Sequence, residues 1–453
     1  MSSKPVRDRN DFDDKSPFQA LVLRARWAVL LLFVLVFGLW YGSRIQKKLD
    51  DRQQLTPFER IVGRLRDVPE HATAVIQDPD VVRNLDTEPE TALPPGTVSV
   101  VGVDTIPVPK DFLYSRYHQD SNQISVIRRR LADNHVVHRW DWSYDDLASR
   151  YKQWLKENQR RYPNFSFRGP IRFPLASPLI VEGGRLVTRL QQSLCCFDPD
   201  GTLLWQSPEM VHHSVEVDHD GNLWTCSMVA DQEGFRDDVA LKIDATNGQV
   251  LQRYPISEIF QANPEHDYSH HARSDTDPFH LNDVQPVRRR SEFWEPGDVF
   301  LSLRNISSVL LFRPSTGKVL WSNAVAWSYQ HDVTVVSDHQ ISVFDNNVMN
   351  NSPWGSGFVY RHGDQNRCMV YDFNAAQAES VFQDIFVRHN CKTPTQGRVK
   401  WWKEDAWLFI EASDQSFFVA ADLDSDRSYK FVCPGNRDGK VGHVAWFRLM
   451  DPS

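Results

Sequence analysis

Histidines stand directly in front of three strand-like segments of this chain. The segment "HHSVEVDHDGNLW" begins at His212, "HLNDVQPV" begins at His280, and "QHDVTVV" contains His331. Behind each histidine, polar and apolar residues alternate as expected of a half-buried β-strand. If these segments are equivalent strands of a repeated unit, their imidazoles converge on one pocket although they are far apart in the sequence.

The residue types in this set favour chemistry on a tetrahedral oxyanion. Arg304, in "LSLRN", follows the His280 segment, and its guanidinium offers a fixed fork of donors to sulfate or phosphate oxygens. A neutral imidazole can act as a nucleophile, and a second imidazole can protonate a leaving group. Three histidines could instead bind zinc, but these lack HxH or HxxxH spacing, so the sequence predicts no metal site. A purely structural role, in which each histidine caps its strand, stays open.

Three stretches built as strand, turn and strand predict how the histidines are positioned. They span residues 183–207, 238–256 and 297–322. Their turns, "DPDG", "DATNG" and "RPSTG", contain the Asp, Asn and Gly residues of tight hairpins. The repeat of roughly 45–55 residues is the size of a propeller blade.

The rest of the C-terminal part continues this pattern. Further candidate blades cover 97–142, 331–384 and about 396–433, and a last strand at 442–449 could close the ring. We therefore predict an all-β fold, a β-propeller of about six blades interrupted by a helical insert at 143–163. The innermost strands of all blades would then face one central channel, where the histidines meet.

The N-terminal part of the chain has a different character. Residues 27–43, "WAVLLLFVLVFGLWYGS", are uncharged and almost wholly apolar. A helix of this length covers about 25 Å, at the short end for a membrane span. The following "LWYGSR" lacks a small-x-small cleavage pattern, so we predict an N-terminal transmembrane helix that acts as an uncleaved signal anchor. The predicted organisation is a cytoplasmic tail at 1–26, the anchor at 27–43, a helical and Pro-rich linker at 44–96, and the propeller at 97–453.

The composition indicates which partners and which redox compartment to expect. The net charge is −8 and the basic residues are scattered, which argues against nucleic-acid binding. All six cysteines follow the predicted anchor, as an oxidising compartment would allow. We expect a disulfide between Cys391 and Cys433, because each neighbours a turn in the region of the last blade. No cofactor is predicted.

The chain resembles the bacterial arylsulfate sulfotransferases and the broader arylsulfotransferase-like family over about residues 97–450. The most specific segments are "HHSVEVDHDGNL", "DPFHLNDVQPV" with "GDVFLSLRNISSVLLF", and "QHDVTVVSDHQISVFDNN". By position, the resemblance makes His331 the nucleophile, with Phe344-Asp345-Asn346 as the turn that accompanies it. The other catalytic residues that it implies are His280, Arg304 and His213, and the substrate-binding residues are His212, Asn282 and Asn346.

The resemblance also implies a fold, a reaction and a location. The family is a six-bladed propeller that acts in the periplasm and moves a sulfuryl group from an aryl sulfate to a phenol without a nucleotide donor. The expected partners are an aryl sulfate donor, a phenolic or other hydroxyl acceptor, and the inner membrane through residues 27–43. The chain departs from the family pattern at Asn347, where typical members have Gly, and in having an anchor where they have a cleaved signal and a β-sandwich. Natural substrates, homo-oligomerisation and an envelope protein partner stay open.

Two other classes of function fit parts of the sequence. The turns "DATNGQVLQ" and "STGKVLW", with the adjacent Cys195 and Cys196, resemble quinoprotein propellers, whose quinone and calcium would need inward-facing carboxylates. A membrane-tethered propeller without catalytic activity, serving as a scaffold for an envelope complex, fits the anchor, the linker and the blades. Turnover of an aryl sulfate distinguishes the enzyme from the scaffold, and a bound quinone spectrum would mark the quinoprotein.

Overall fold

The structure is a computed structural model. The chain divides into two units, Met1–Val82 and Arg83–Ser453, and every residue described lies in the second. The described residues are 86–87, 97–101, 106–108, 110–118, 121–159, 161–162, 175–230, 236–272, 277–350, 358–415, 417–434, 441–442 and 446–450.

Most of the described strands form six four-stranded antiparallel units, called blades 1 to 6; blades 2 and 3 share one long strand and form a continuous seven-stranded sheet. Two short strands come first: β1 (Asp86–Thr87) and β2 (Thr97–Val101). Blade 1 contains β3 (Asp111–His118), β4 (Gln123–Arg130) and β5 (Val136–Ser143). Blade 2 contains β6 (Leu175–Val181), β7 (Arg185–Leu190), β8 (Ser193–Phe197) and the first half of β9 (Leu203–Val217). Blade 3 contains the second half of β9, then β10 (Leu223–Ala230), β11 (Arg236–Ile243) and β12 (Val250–Pro255).

The remaining blades repeat this order. Blade 4 contains β13 (Leu281–Pro286), β14 (Val299–Leu303), β15 (Ser308–Arg313) and β16 (Lys318–Asn323). Blade 5 contains β17 (His331–Val335), β18 (Gln340–Asp345), β21 (Arg367–Asp372) and β22 (Gln377–Val381), with a hairpin of β19 (Val348–Asn350) and β20 (Phe358–Tyr360) inserted after β18. Blade 6 contains β23 (Arg398–Trp402), β24 (Trp407–Ala412), β25 (Phe417–Asp422) and β26 (Ser428–Pro434), and β1, β2 and β27 (Val441–Gly442) extend its outer edge. The last described strand, β28 (Arg448–Met450), pairs with β3 and completes blade 1.

The core lies in the clefts between neighbouring blades. Side chains alternate along each strand, so one face of a blade packs against the preceding blade and the other face against the following blade. On β3, for example, Phe112 packs against Phe418 and Phe431 of blade 6, whereas Leu113 belongs to the cluster shared with blade 2. Apolar clusters of this kind fill the six clefts formed by the described residues, including the cleft between blades 6 and 1. The predicted β-propeller is therefore confirmed.

A helix at Tyr144–Asn158 follows β5, inside the segment predicted as a helical insert. Ser143 caps its first turn by accepting the main-chain N–H of Asp146, and Asp145 adds negative charge at the positive end of the helix dipole. Its apolar face packs Tyr151 and Trp154 into the cleft between blades 1 and 2. Shorter helices lie at Ile256–Ala262 and Gln383–Arg388.

None of the described helices combines the length and the apolar character needed to cross a membrane. The predicted anchor at 27–43, with the tail before it, lies outside the described residues. Both remain predictions.

The predicted disulfide between Cys391 and Cys433 is wrong, because Cys391 is a buried free thiol. Its side chain belongs to the apolar cluster between blades 5 and 6. Cys195 and Cys196 are also free thiols. Adjacent residues of a strand point to opposite faces, and these two lie in the clefts on either side of blade 2, so the resemblance to a vicinal disulfide does not hold.

Candidate active site

A residue with left-handed backbone conformation stands at or near the start of the first strand of each blade. Positive φ is uncommon outside glycine and concentrates at functional sites, where surrounding structure compensates its cost. The six φ angles lie between 47° and 61° and belong to Ser177, His213, His280, Asp332, Gln396 and Trp446. Two of the predicted site histidines therefore hold this conformation themselves, which turns the chain sharply as it enters the channel-facing strand.

The structure brings the four predicted histidines together. The ring centroid of His213 lies 5.0 Å from those of His212 and His280, and 6.0 Å from that of His331. His212 and His280 are 6.4 Å apart. Strands from blades 3, 4 and 5 thus contribute to one imidazole cluster, as the repeat of the segments predicted.

Hydrogen bonds fix the tautomer of His331. Its Nδ1 lies 2.6 Å from Oδ1 of Asn346, and its Nε2 accepts the main-chain N–H of Gln396 at 3.2 Å. Because an amide oxygen only accepts, Nδ1 carries the proton and the lone pair is on Nε2. Burial and then the positive charge of Arg304 hold the pKa of His331 well below its usual range, so the ring is neutral.

Asn346 is held in one orientation by the loop that precedes blade 6. Its Nδ2 donates to the carbonyl oxygens of Thr393 and Gln396, both at 2.7 Å. These bonds leave Oδ1 facing His331, so every polar atom of the side chain is used within the protein. In the free protein Asn346 therefore positions His331, and its predicted role in substrate binding stays a prediction.

Asn347, the departure from the family pattern, has a φ of 56°. Asparagine tolerates this left-handed conformation better than most residues, so the backbone can keep the turn that glycine would form. Its Nδ2 also donates to the carbonyl oxygens of His362 and Gln365, at 2.6 and 2.9 Å. The substitution therefore preserves the turn and ties it to the loop after β20.

His280 is paired with a carboxylate that the sequence analysis missed. Its Nδ1 lies 2.7 Å from Oδ2 of Asp277, and its buried Nε2 has no hydrogen-bond partner among the described residues. Burial alone would raise the pKa of Asp277, but the bond to His280 and the charges of Arg236 and Arg304 lower it to about 2. Burial and Arg304 lower the pKa of His280, while Asp277 opposes that shift. Asp277 thus prepares His280 to carry a proton when a negative charge arrives.

His212 and His213 form a pair of their own. Their Nδ1 atoms are 2.7 Å apart, so one donates its proton to the other. Burial, and then the charge of His280, lower the pKa of His212 to about 3. Burial and the neighbouring histidines hold the pKa of His213 well below its usual range. Both rings are neutral at neutral pH.

Arg304 follows β14 and its main-chain N–H donates to the carbonyl oxygen of His280 at 3.1 Å. The guanidinium lies 5.5 Å from the ring centroid of Tyr329, and its Nε donates to Oδ1 of Asn305 at 3.2 Å. No carboxylate among the described residues forms an ion pair with it. The charge of Asp277, which is bonded to His280, acts on Arg304 from beyond ion-pair distance. Within that part of the chain, Arg304 thus lies beside His280 and His331 without a directly paired carboxylate.

Asn282 supports the strand of the proposed nucleophile. Its Nδ2 donates to the carbonyl oxygen of Gln330 at 2.7 Å, immediately before His331, while its buried Oδ1 finds no partner in the described part of the chain. The side chain was predicted to bind substrate. Its one free polar atom is an acceptor, which suits a hydroxyl group and not a sulfate oxygen.

Further along the same first strands lies a belt of buried ion pairs. Nη1 of Arg448 is 2.8 Å from Oε2 of Glu216, and Nε of Arg398 is 2.9 Å from Oδ1 of Asp332. Burial would raise the pKa of Glu216, but Arg448 and Lys400 lower it to about 2, so this carboxylate is ionised. The cations of the belt are directly paired with carboxylates, whereas Arg304 is not.

Two other features of the described residues lie away from the histidines. A group that could hold a metal ion, Asp218, His219 and Asp220, lies in the turn before β10, where Nζ of Lys242 is already 2.8 Å from Asp218. A cavity of about 670 Å³ beside the helix Tyr144–Asn158 is lined by Trp142 and Trp154 among others. Neither contains a predicted site residue.

A β-propeller with imidazoles and an unpaired guanidinium at one end of its first strands fits a group-transfer protein that acts on an anion. Residues 193–419, half of the chain, match the sequence model of the arylsulfotransferase (ASST) family. The chain belongs to that family and is an arylsulfotransferase-like protein. The matched region includes all of His212, His213, His280, Arg304 and His331.

Among the solved structures, several distantly similar chains match. A protein of unknown function from Bacteroides caccae is 10% identical over 76% of this chain and 100% of that chain, with a TM-score of 0.45. The β-propeller domain of Cps50 (Swd1) from Myceliophteria thermophila is 10% identical over 76% and 100%, with a TM-score of 0.37. Virginiamycin B lyase from Staphylococcus aureus is 11% identical over 57% and 69%, with a TM-score of 0.32. The search of curated proteins gave no match.

Proposed function

We propose that this protein transfers a sulfuryl group from an aryl sulfate donor to a phenolic or other hydroxyl acceptor, through a sulfohistidine at His331 and without a nucleotide donor. The observation that carries the proposal is the state of His331. It is a buried, neutral imidazole with its proton fixed on Nδ1 by Asn346 and its lone pair on Nε2. It stands beside Arg304, which forms no direct ion pair with a carboxylate among the described residues.

In the first half-reaction, Nε2 of His331 attacks the sulfur of the aryl sulfate. The N–S bond forms while the S–O bond to the aryl group breaks, and its electron pair goes to the aryl oxygen. The ring gains positive charge as the bond forms, so the hydrogen bond from Nδ1 to Asn346 becomes charge-assisted and stronger. The main-chain N–H of Gln396, which occupies the lone pair in the free protein, is then available to a sulfuryl oxygen.

Arg304 and His280 bind the sulfuryl oxygens in this proposal. The guanidinium supplies two parallel donors of the kind that bind sulfate well. The Nε2 of neutral His280 is an acceptor, so it must gain a proton before it can donate to sulfate. The arriving anion raises the pKa of this ring, and the ionised Asp277 at 2.7 Å stabilises the resulting imidazolium.

The acceptor enters after the aryl group of the donor has left as its phenolate, which gives ping-pong kinetics. His213 takes the proton of the acceptor hydroxyl, and in the reverse direction it returns a proton to the leaving phenolate. Its ring centroid, 6.0 Å from that of His331 and 5.0 Å from that of His280, suits this place between the sulfuryl group and the incoming hydroxyl.

The test uses the full-length protein in detergent, with 4-nitrophenyl sulfate as donor and phenol as acceptor. We expect release of 4-nitrophenol, sulfation of phenol, and an acid-labile sulfuryl adduct on the protein in the absence of acceptor. His331→Asn should abolish all three with the fold intact. His339→Asn, the same change in the turn between β17 and β18 of that blade, should leave them unchanged. Normal turnover by His331→Asn would refute the nucleophile, and no turnover with any aryl sulfate would favour the scaffold.

We also propose that residues 27–43 hold the protein in the inner membrane as a single-pass anchor, with the propeller in the periplasm. The apolar, uncharged sequence of this segment and the location of the family support that topology. Protease added to intact spheroplasts should digest the propeller. Protection of the C-terminal domain under those conditions would contradict the topology.

A further inference from the structure

Arg189 is a second buried guanidinium beside the histidine cluster. It lies on β7 and pairs across blade 2 with Ala176 of β6. The hydroxyl of the next residue of β6, Ser177, donates to the carbonyl oxygen of His213 at 2.7 Å. The turn after Arg189 is joined to β9, the strand that contains His213, because the main-chain N–H of Val211 donates to the carbonyl oxygen of Gln192 at 2.7 Å. Arg189 is thus built into the wall that carries His213.

Arg189 holds the position in blade 2 that Arg304 holds in blade 4. The segment "RLQQSLCCFDP", from Arg189, aligns without a gap with "RNISSVLLFRP", from Arg304. In each blade the third strand begins four residues after the arginine, at Ser193 and at Ser308. The repeat therefore places two guanidiniums at equivalent levels of the ring, on either side of blade 3 and His213.

The side chain of Arg189 has no anionic partner among the described residues. It is 9% exposed, its Nη1 donates to the carbonyl oxygen of Gln191 at 3.1 Å, and its buried Nε has no hydrogen-bond partner there either. A buried charge without a partner is costly, so this arrangement indicates a ligand with negative charge. The charge of Arg189 also contributes to the lowered pKa values of His212 and His213.

Proton transfer in the proposed reaction requires such a cation. A phenol has a pKa of about 10, whereas burial and then the charges of His212, His280 and His331 hold the pKa of His213 well below 6.5. The proton of the acceptor would therefore move uphill by more than about three pK units to reach His213. A positive charge that lies closer to the phenol oxygen than to His213 narrows this gap, because it stabilises the phenolate more than it disfavours the imidazolium.

We propose that Arg189 binds the aryl oxygen, as phenolate, of both the departing donor and the incoming acceptor. This inference rests on the proposed sulfuryl transfer and divides the site between two cations, with Arg304 on the sulfuryl oxygens and Arg189 on the aryl oxygen. In the second half-reaction the acceptor proton moves to His213 and the phenolate oxygen forms the bond to sulfur. The N–S bond then breaks, and its electron pair returns to Nε2 of His331.

The first test reads the ionisation of bound 4-nitrophenol by the absorbance of its phenolate, in the full-length protein. We expect the bound phenol to ionise at a pH lower than that of free 4-nitrophenol by about one unit or more. Arg189→Met should remove that shift and Arg189→Lys should keep part of it. Arg150→Met, the same change at an exposed position of the helix Tyr144–Asn158, should behave as the unmutated protein. An unshifted titration in the unmutated protein, or an equal shift in Arg189→Met, overturns the proposal.

The second test compares two donors that differ in leaving group. Arg189→Met should slow transfer from phenyl sulfate about tenfold more than transfer from 4-nitrophenyl sulfate, because the poorer leaving group depends more on the cation. Arg304→Met should slow both donors alike, and equal losses in Arg189→Met would argue against binding of the aryl oxygen. The nitrophenol titration needs no turnover, so it still decides the role of Arg189 if the unmutated protein transfers no sulfuryl group. If the unmutated protein transfers sulfuryl groups but the titration is unshifted, the proposed role of Arg189 is refuted and the proposed sulfuryl transfer is not.

Discussion

The hydrogen bond between Asn346 and His331 gives the sharpest quantitative prediction. Asn346→Ala removes the acceptor of the Nδ1 proton, and it also removes both donors that hold the carbonyl oxygens of Thr393 and Gln396. The carbonyl oxygen of Thr393 keeps a hydrogen bond from Nδ2 of Asn366 at 2.9 Å. The carbonyl oxygen of Gln396 loses its donor among the described residues. The substitution therefore has one effect on the chemical step and another on the loop.

The two effects have different sizes. A neutral hydrogen bond contributes about 0.5–1.5 kcal/mol and one to a charged group about 1.5–3 kcal/mol, so the bond to Asn346 strengthens by about 1–1.5 kcal/mol as the ring gains charge. Losing that difference should slow sulfuryl transfer to His331 about tenfold, with little change in donor affinity. The orphaned carbonyl of Gln396 should lower the free energy of unfolding by about 1–3 kcal/mol.

The assay is the burst of 4-nitrophenol from 4-nitrophenyl sulfate without acceptor, which reports the first half-reaction, beside denaturant unfolding. Asn366→Ala is the matched control. Asn366 donates to the carbonyl oxygens of Asn346 and Thr393 at 3.0 and 2.9 Å and does not bond to His331. We expect it to lose stability with a much smaller loss of burst rate. If Asn346→Ala keeps a normal burst rate, or if both variants slow equally, the fixed Nδ1 proton has no part in the chemistry.

Three further predictions concern the loop, the proton balance and acid stability. In Gly397→Ala the new Cβ would clash with Cε1 of the fully buried Phe344 ring, so we expect the burst rate to fall more than about tenfold. Gly317→Ala, also left-handed but with nothing within 4 Å of the new Cβ, should keep the burst rate, and equal losses would point to backbone strain alone. Calorimetry of donor binding at pH 7 in two buffers should show proton uptake, because the anion raises the pKa of His280; no dependence on buffer would contradict that role. Burial, followed by Arg388, lowers the pKa of His389 to about 4, so the unfolded chain binds more protons between about pH 4 and 6.5 and stability falls as the pH falls through that window. His389→Gln should therefore reduce the stability lost between pH 8 and pH 5 by about 2 kcal/mol, and an unchanged loss in denaturant unfolding would count against a buried neutral imidazole.

The propeller and the histidines could be predicted because both follow from short, repeated sequence patterns. A tight turn between two alternating strands identifies a blade, and equivalent positions in different blades meet at the centre whatever their distance in the sequence. His213, His280 and His331 each lie at or just before the start of the channel-facing segment of their blade, and Arg304 follows the second strand of its blade. Their positions in the repeat are therefore enough to predict that these side chains meet.

The partners of these side chains lie outside those patterns. Asp277 is in the loop before His280, outside any strand pattern, and its carboxylate bonds to Nδ1 of His280. Gln396 acts through a main-chain N–H, which no pattern of side chains reports. The predicted disulfide failed for a related reason, since a cysteine beside a turn looks the same in sequence whether its thiol is paired or, like Cys391, packed in an apolar cleft. Arg189 could have been found by aligning blade 2 with blade 4.

The distribution of direct ion pairs explains why an anion would bind among the histidines and not at the neighbouring belt of ion pairs. Arg398 and Arg448 are buried in the belt, but each lies within hydrogen-bond distance of a carboxylate, and breaking such a pair costs about 3–5 kcal/mol. An anion that approached the belt would have to displace Asp332 or Glu216. Arg189 and Arg304 lack such directly paired carboxylates among the described residues. The histidines between them are neutral in the free protein, so the two guanidiniums supply the positive charge of this region. The field that attracts a sulfate ester is therefore confined to the layer that holds Nε2 of His331, and the same ester then supplies the negative charge that lets His280 take up its proton.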